Sequence, residues 1–274
     1  MPAPAIPDTA NLTRPEYEAI DALSYSGLKE LLRSPAHYKH WLAHPKDETK
    51  ALRIGKATHA AFLTPDIWAK TYKAIPECDR RTKDGKETHA AFMASLNPGD
   101  VALAFDEYET SVNVAQAAER ISDGAIIRTG AWIETPLTAQ DKKTPLKGIP
   151  DLISADGWIY DLKTTDDASE RAALRTILSF GYHLQAAHYI RLAHSHRNDI
   201  RGFRLVMVEK EAPYEGCIYE VAGELLDLGF RETERAYALF DQCRAEDKWP
   251  GYHSGVVKLD TLPGNKAPKG GISF

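Results

Sequence analysis

The chain has 274 residues, 43% hydrophobic and 27% charged, with a formal net charge of −5. That length fits one large domain, the composition excludes a wholly disordered chain, and no run approaches the ~18 apolar residues of a transmembrane helix. Three scattered cysteines offer neither a disulfide framework nor a Cys-ligated cluster and fit a reducing cytoplasm, while the acidity argues against coating nucleic acid over the whole surface.

The N-terminus MPAPAIPDTA lacks the basic flank and apolar run of a secretory signal, and with Met1 it reads as the start of a complete chain. Residues 1–22 are Pro-rich without periodicity and read as an extended lead-in. Ser24 and Ser26 ahead of Leu28, Leu31 and Leu32 predict an N-capped helix, restarted at Ser34-Pro35 into a second through Trp41 and Leu42. Residues 52–63 carry apolar side chains at helical spacing and predict a third. Residues 77–87 are charged and read as a loop; helices are expected over 90–96 and 101–121. Near residue 125 the character changes. Three β-rich runs, 130–139, 145–154 and 157–163, are separated by turn signals, and Asp156-Gly157 marks a hairpin between the last two. Helices are expected at 169–178 and 182–193, strands at 200–209 and 216–221, and a long amphipathic helix at 224–247. Residues 251–274 are a Gly/Pro-rich tail, which leaves 23–250 as one α/β domain with a helical N-terminal layer.

Charge is unevenly spread. Residues 209–248 hold 11 Asp/Glu against 5 Lys/Arg, whereas residues 26–56 hold 7 Lys/Arg against 3 Asp/Glu, with His37, His40 and His44 interspersed. Such stretches are ordinarily solvated faces. The other reading sets the early basic segment against a polyanion and turns the acidic end away from it.

The meander carries the candidate chemistry. Ile149-Pro150-Asp151 is followed, after nine residues, by Asp161-Leu162-Lys163. A hairpin at Asp156-Gly157 sets Asp151 and Asp161 at similar heights, and strand alternation puts Asp161 and Lys163 on one face with Leu162 in the core. Two carboxylates beside a lysine suit a hard cation such as Mg²⁺ or Mn²⁺. The cation polarises a phosphate and acidifies a bound water, and the lysine orients that water or meets the developing charge. Each residue also has a plainer use: Asp151 as a turn cap after Pro150, Asp161 and Lys163 as a strand-end ion pair. Placing three charges on an apolar hairpin costs burial energy without a functional return, which favours the site.

These residues resemble the metal motif of the PD-(D/E)XK nuclease superfamily. Residues 180–189, FGYHLQAAHY, resemble its Gln-x-x-x-Tyr helix, and Gly55-Lys56-Ala57-Thr58-His59 resembles the Gly-x-x-x-His helix of its RecB-like branch. With Ser24-Tyr25-Ser26, Ser34-Pro35-x-x-Tyr38 and Asp161-Leu162-Lys163-Thr164-Thr165, the chain resembles RecE-like (exodeoxyribonuclease VIII C-terminal-domain-like) nucleases of phages and prophages over residues 22–250. The resemblance implies a restriction-endonuclease-like core, a mixed central β-sheet flanked by helices. It implies His59, Asp151, Asp161 and the backbone carbonyl of Leu162 as metal ligands, with Lys163 beside the attacking water. It also implies that Gln185 and Tyr189 support that lysine and the DNA backbone, and their i, i+4 spacing lets both reach one site. Packing remains the other reading for Tyr189, and a satisfied core histidine for His59. Gly55, one turn before His59, is expected to permit close helix approach. Glu134, on the first strand of the meander, either lines the site as an outer carboxylate or points to solvent. His183, His188, His194 and His196 lack clean i, i+4 pairing and read as mainly surface, with His183 nearest the site.

The family further implies Mg²⁺- or Mn²⁺-dependent exonuclease action, degrading linear double-stranded DNA 5′→3′ to leave 3′ single strands for a RecT-like annealing protein. A homo-oligomeric ring in the cytoplasm of a bacterial or phage-infected cell, without membrane attachment, is the corresponding expectation. An enzyme acting on 5′ ends needs a phosphate pocket, and Ser24, Ser26, Lys29 and Arg33 near helix N-termini offer one. Competing readings are an endonuclease or 3′-acting relative, a non-catalytic DNA-binding module, and an enzyme of some other phosphoester. The retained Asp151, Asp161 and Lys163 speak against the module, and Gln185 and Tyr189 speak against the other phosphoester.

Overall fold

The computed structural model describes residues 8–44, 48–126, 128–252 and 254–257. Residues 258–274 of the expected tail lie outside them, as do residues 1–7 of the expected lead-in. The rest of the lead-in is not extended: a 3-10 turn, Asp8–Asn11, precedes α1 (Arg14–Ala19), which Thr13 and Glu16 close with a capping box.

The N-terminal helices begin where polar caps allow. In α2 (Tyr25–Arg33) Ser24 accepts the amide of Gly27, and Ser34 both ends α2 and caps α3 (Pro35–Ala43) by accepting the amide of His37. Thr49 opens α4 (Lys50–Leu63), followed by α5 (Pro65–Thr71). Two three-residue strands, β1 (Tyr72–Ala74) and β2 (Val101–Leu103), pair in parallel around α6 (Lys83–Ala94). The charged segment at 77–87 is therefore a loop only in its first half, because Thr82 accepts the amide of Gly85 and starts α6. The helix expected from residue 101 begins after β2, as α7 (Phe105–Ser122).

The meander is more broken than its apolar runs indicate. Run 130–139 divides at Glu134, where φ is +43°, into β3 (Trp132–Ile133) and β4 (Leu137–Asp141). Run 145–154 divides at Pro150 into β5 (Thr144–Gly148) and β6 (Leu152–Ile153). β4 and β5 form a separate hairpin. The main sheet, completed by β7 (Trp158–Thr165), β8 (Gly202–Glu209) and β9 (Gly216–Val221), runs in the order β3-β6-β7-β8-β9. Only the β7–β8 pair is parallel, so the sheet is mixed. Its crossover is α8 (Glu170–Phe180) and α9 (Tyr182–His194), and α10 (Gly223–Glu246) closes the fold.

Alternation along the strands builds two cores. Ile159, Phe203, Leu205 and Met207 face α2, α3, α9 and α10, whereas Tyr160, Leu162, Val206 and Val208 face α4 and α7. On the first side α9 and α10 approach closely. A Cβ on Gly229 would lie 2.2 Å from the carbonyl oxygen of His183, so this crossing requires glycine. The architecture is a mixed α/β fold with helices on both sheet faces. No helix among the described residues is long and apolar enough to cross a membrane.

Candidate active site

β7 is bonded on both sides only at its start. Ile159 and Tyr160 pair with β6, but beyond them β8 alone continues alongside. The turn Ile149–Asp151 enters the edge left open, and the amide of Leu162 donates to Asp151 Oδ2 at 2.8 Å in place of a ladder bond. The N–H and C=O of one residue in an extended strand point the same way, so the Leu162 carbonyl is also directed to this edge. Asp161 and Lys163 project to the face covered by α9, and Leu162 enters the opposite core.

Charges at this edge are interlocked, with Asp161 buried and Asp151, Lys163 and His59 partly covered. Lys163 Nζ contacts Asp161 Oδ2, and Gln185 Nε2 donates to Asp161 Oδ1 at 2.7 Å. From α4, His59 Nε2 lies 2.8 Å from Asp151 Oδ2 and its Nδ1 lies 2.7 Å from the Gly55 carbonyl. Both ring nitrogens thus face acceptors, the arrangement of an imidazolium. Burial opposes that charge, but Asp151 overcomes it and raises His59 to about 9. Burial likewise works against ionised Asp151, yet His59 and Lys163 hold its carboxyl below the ordinary value. Asp161 goes the other way: burial and the nearby charge of Asp151 push it up to about 6. Lys163 stays above its ordinary value despite burial because both aspartates face it.

The supporting residues take distinct parts. Tyr189 does not reach the lysine; its hydroxyl donates to the Ile149 carbonyl at 3.2 Å and so holds the turn that carries Asp151. Gly148 makes room for it, since a Cβ there would lie 2.8 Å from the Tyr189 ring. Gly55 has no such duty: a Cβ on it meets nothing within 4 Å, so close helix approach does not explain this glycine. Glu134 follows β3 rather than lying on it. Its amide donates to the Asp151 carbonyl at 2.9 Å and its side chain is exposed at the rim. Desolvation beside the site and the charge of Asp151 raise its carboxyl above the ordinary value. Among the four histidines of the α9 region, His183 and His188 are buried, contrary to the surface reading, and only His194 and His196 are exposed.

The early basic residues are not gathered around the aspartates. Ser24 is occupied in capping α2, and Ser26 belongs to its first turn. Lys29 and Arg33 line a cavity of about 380 Å³ with Arg235 and Glu232. Two residues that the motifs contain but to which the sequence assigned no role, Tyr182 and Tyr25, do reach the site. Tyr182 lies under Lys163, whose Nζ is 4.7 Å from the ring centroid, and Tyr25 packs edge-on against Tyr189. The signal for Tyr182 was available, because Tyr182, Gln185 and Tyr189 fall at i, i+3 and i+7 on α9.

The donor set can be tested against a divalent cation. Among the described residues no three His, Cys, Asp or Glu groups form a closed metal cage, since His59 and Lys163 instead neutralise the two aspartates. Yet two carboxylates and a strand-edge carbonyl are oxygen donors of the kind Mg²⁺ and Mn²⁺ prefer. Gln185 Oε1 is moreover buried with no hydrogen-bond partner, leaving an acceptor for a water or ammonium proton. The residues fit a hard cation.

Comparison with known proteins agrees with this architecture. A crystal structure from Eubacterium rectale, described as a "putative exonuclease", superposes with a TM-score of 0.62 at 13% identity, covering 92% of this chain and 96% of that one. At that identity the likeness shows the fold. A second solved structure, that of SSO0001, gives a TM-score of 0.29 at 13% identity, over 80% of this chain and 87% of that one, too low to argue from. No curated protein matches the chain. The family model described as "PDDEXK-like domain of unknown function (DUF3799)" matches residues 24–259, and the chain belongs to that family, within the PD-(D/E)XK nuclease-like fold.

Proposed function

We propose that the protein is a metal-dependent DNA exonuclease of RecE-like type. It hydrolyses one strand of linear duplex DNA 5′→3′ and leaves a 3′ single strand for a RecT-like annealing partner. The observation that carries the reading is the interlocked Asp151–Asp161–Lys163 set at the open edge of β7, with Asp161 buried and braced by Gln185. A Mg²⁺ or Mn²⁺ ion held by Asp151, Asp161 and the Leu162 carbonyl, with His59 beside Asp151, would polarise the phosphate and acidify a water. Lys163 orients that water and offers positive charge where the pentavalent phosphate gains negative charge. Gln185 keeps Asp161 in place through Nε2 and turns Oε1 towards a water proton. Tyr189 fixes the turn that presents Asp151, and Glu134 stands at the rim as an outer carboxylate. The name given to the Eubacterium rectale structure supports an exonuclease over an endonuclease. A cytoplasmic homo-oligomeric ring that encloses the duplex belongs to the same reading.

End-labelled linear, nicked and closed circular duplexes test it, each incubated with Mg²⁺, Mn²⁺ or a chelator. Progressive loss of the 5′ label from linear DNA alone, abolished by chelator, is expected. Cutting of closed circles, release from the 3′ end, or undiminished activity in Lys163→Ala would each refute it.

A further inference from the structure

The catalytic reading leaves a group of surface residues next to Lys163 unused. Gly181 ends α8 and starts α9 with φ +75°, a turn that favours glycine. The turn brings Phe180 and Tyr182 together, their rings stacked 5.8 Å apart with planes 16° from parallel. Tyr182 faces inward under Lys163, whereas Phe180 faces outward and is 55% exposed, with Leu178 beside it 46% exposed. Phe180 and Gly181 also form part of the wall of the 380 Å³ cavity, which is lined by Lys29, Arg33 and Arg235 and by Glu232. Glu30 pairs with Arg33 at 3.8 Å beside it, which makes three cations to two carboxylates. The two features are joined. Tyr25 donates its hydroxyl to the Phe180 carbonyl at 2.8 Å, and the ammonium of Lys29 lies 5.3 Å from the Tyr25 ring centroid.

An exposed aromatic stack that adjoins a cationic hollow and a nuclease-type lysine matches the two chemistries of a nucleotide, a flat base and an anionic phosphate. We propose that Phe180 and Tyr182 form a stacking platform for an unpaired base beside the scissile bond. Lys29, Arg33 and Arg235 hold the adjoining phosphates. Bases inside a duplex already stack on each other, so the platform engages a strand that is single at the point of cleavage. The proposal rests on the nuclease reading of the Asp161–Lys163 site, and it names that site's substrate more narrowly.

The test uses the full-length protein in chelator with a single-stranded oligonucleotide carrying 2-aminopurine, whose fluorescence falls on stacking. Wild-type protein is expected to quench the probe. Phe180→Ala is expected to lose the quenching and to bind about tenfold more weakly, with Phe180→Trp restoring both. Arg235→Ala is expected to lower the slope of log affinity against log salt by about 0.7, the share of one single-strand phosphate contact. Unchanged quenching in Phe180→Ala overturns the proposal. So does a shift of that variant to a smaller species in sedimentation with quenching intact, which would make the patch a self-association face. A protein that quenches the probe yet cuts no DNA with Mg²⁺ or Mn²⁺ overturns the nuclease reading and supports the platform. One that cuts DNA but never quenches overturns the platform alone.

Discussion

His59 on α4 is largely covered by protein and His188 on α9 is fully buried, yet their surroundings drive them to opposite charge states. His59 sits against an ionised aspartate and is raised to about 9. His188 accepts the hydroxyl proton of Tyr237 at 2.8 Å and donates to the Lys147 carbonyl at 3.1 Å, a neutral ring satisfied on both nitrogens. Burial, assisted by the charge of Arg191, lowers it to about 4. The difference extends to the regions around them. At the α9–α10 crossing the buried polar groups of His188 are paired and closed to further partners. At the open edge of β7, two aspartates, a lysine and an imidazolium are packed together and Gln185 Oε1 is left without a donor. A polar cluster built only for stability resembles the first region. The second concentrates four ionised groups in two ion pairs and keeps one amide oxygen unpaired beside them, as the proposed site requires.

Substitutions can break this contrast. The largest expected effect is on chemistry: Lys163→Ala lowers the initial rate on linear duplex about 10²–10³-fold, the scale of losing one preorganised electrostatic group. His188→Gln should leave that rate within a few-fold. Comparable losses in both variants would erase the distinction.

Next in size is a pH effect at the neutral histidine. Its pKa is lower folded than unfolded, so the unfolded chain binds more protons between pH 6.5 and about 4. The contribution of neutral His188 is therefore complete above pH 6.5 and declines as pH falls through that window, by up to about 3 kcal/mol. Urea midpoints of wild type and His188→Gln across pH 4–7 measure it, since glutamine can still donate to the Lys147 carbonyl but does not titrate. The same pH dependence in both proteins would refute the assignment. The smallest effect joins the two regions, because Tyr189 lies beside His188 in sequence yet serves the Asp151 turn. Tyr189→Phe is expected to cost about 1 kcal/mol of stability, the net value of one hydrogen bond. It should also lower the rate a few-fold, and a rate loss as large as that of Lys163→Ala would assign Tyr189 a direct part in the chemistry.

Local signals in the sequence were dependable where they act over short range. Ser24, Ser34 and Thr49 cap the helices that follow, and Asp156-Gly157 turns the chain between β6 and β7. The breaks in the meander were less legible. Pro136 and Pro150 interrupt apolar runs that otherwise read as single strands, and the β4–β5 hairpin turns through Lys142 with φ +54° rather than at a glycine. β1 and β2 went unread because three residues each carry little pattern and their pairing is made across α6. His188 read as surface because α9 is buried on nearly all sides, which leaves no polar face to mark its orientation.

The sequence by itself determined the order of the main helices and of the strands from β7 onward, the mixed α/β class, and the PD…DLK and Gln-x-x-x-Tyr spacing, because caps, turns and periodicity depend only on near neighbours. Tertiary structure alone decided that β6 ends early and leaves the β7 edge to Asp151, that His59 arrives as the ion partner of that aspartate, and that Tyr189 holds a backbone turn. It also divided the early basic residues from the aspartates and placed Lys29 and Arg33 beside Arg235. These outcomes depend on groups separated by tens to hundreds of residues, whose charge and hydrogen bonding are fixed only when burial brings them together.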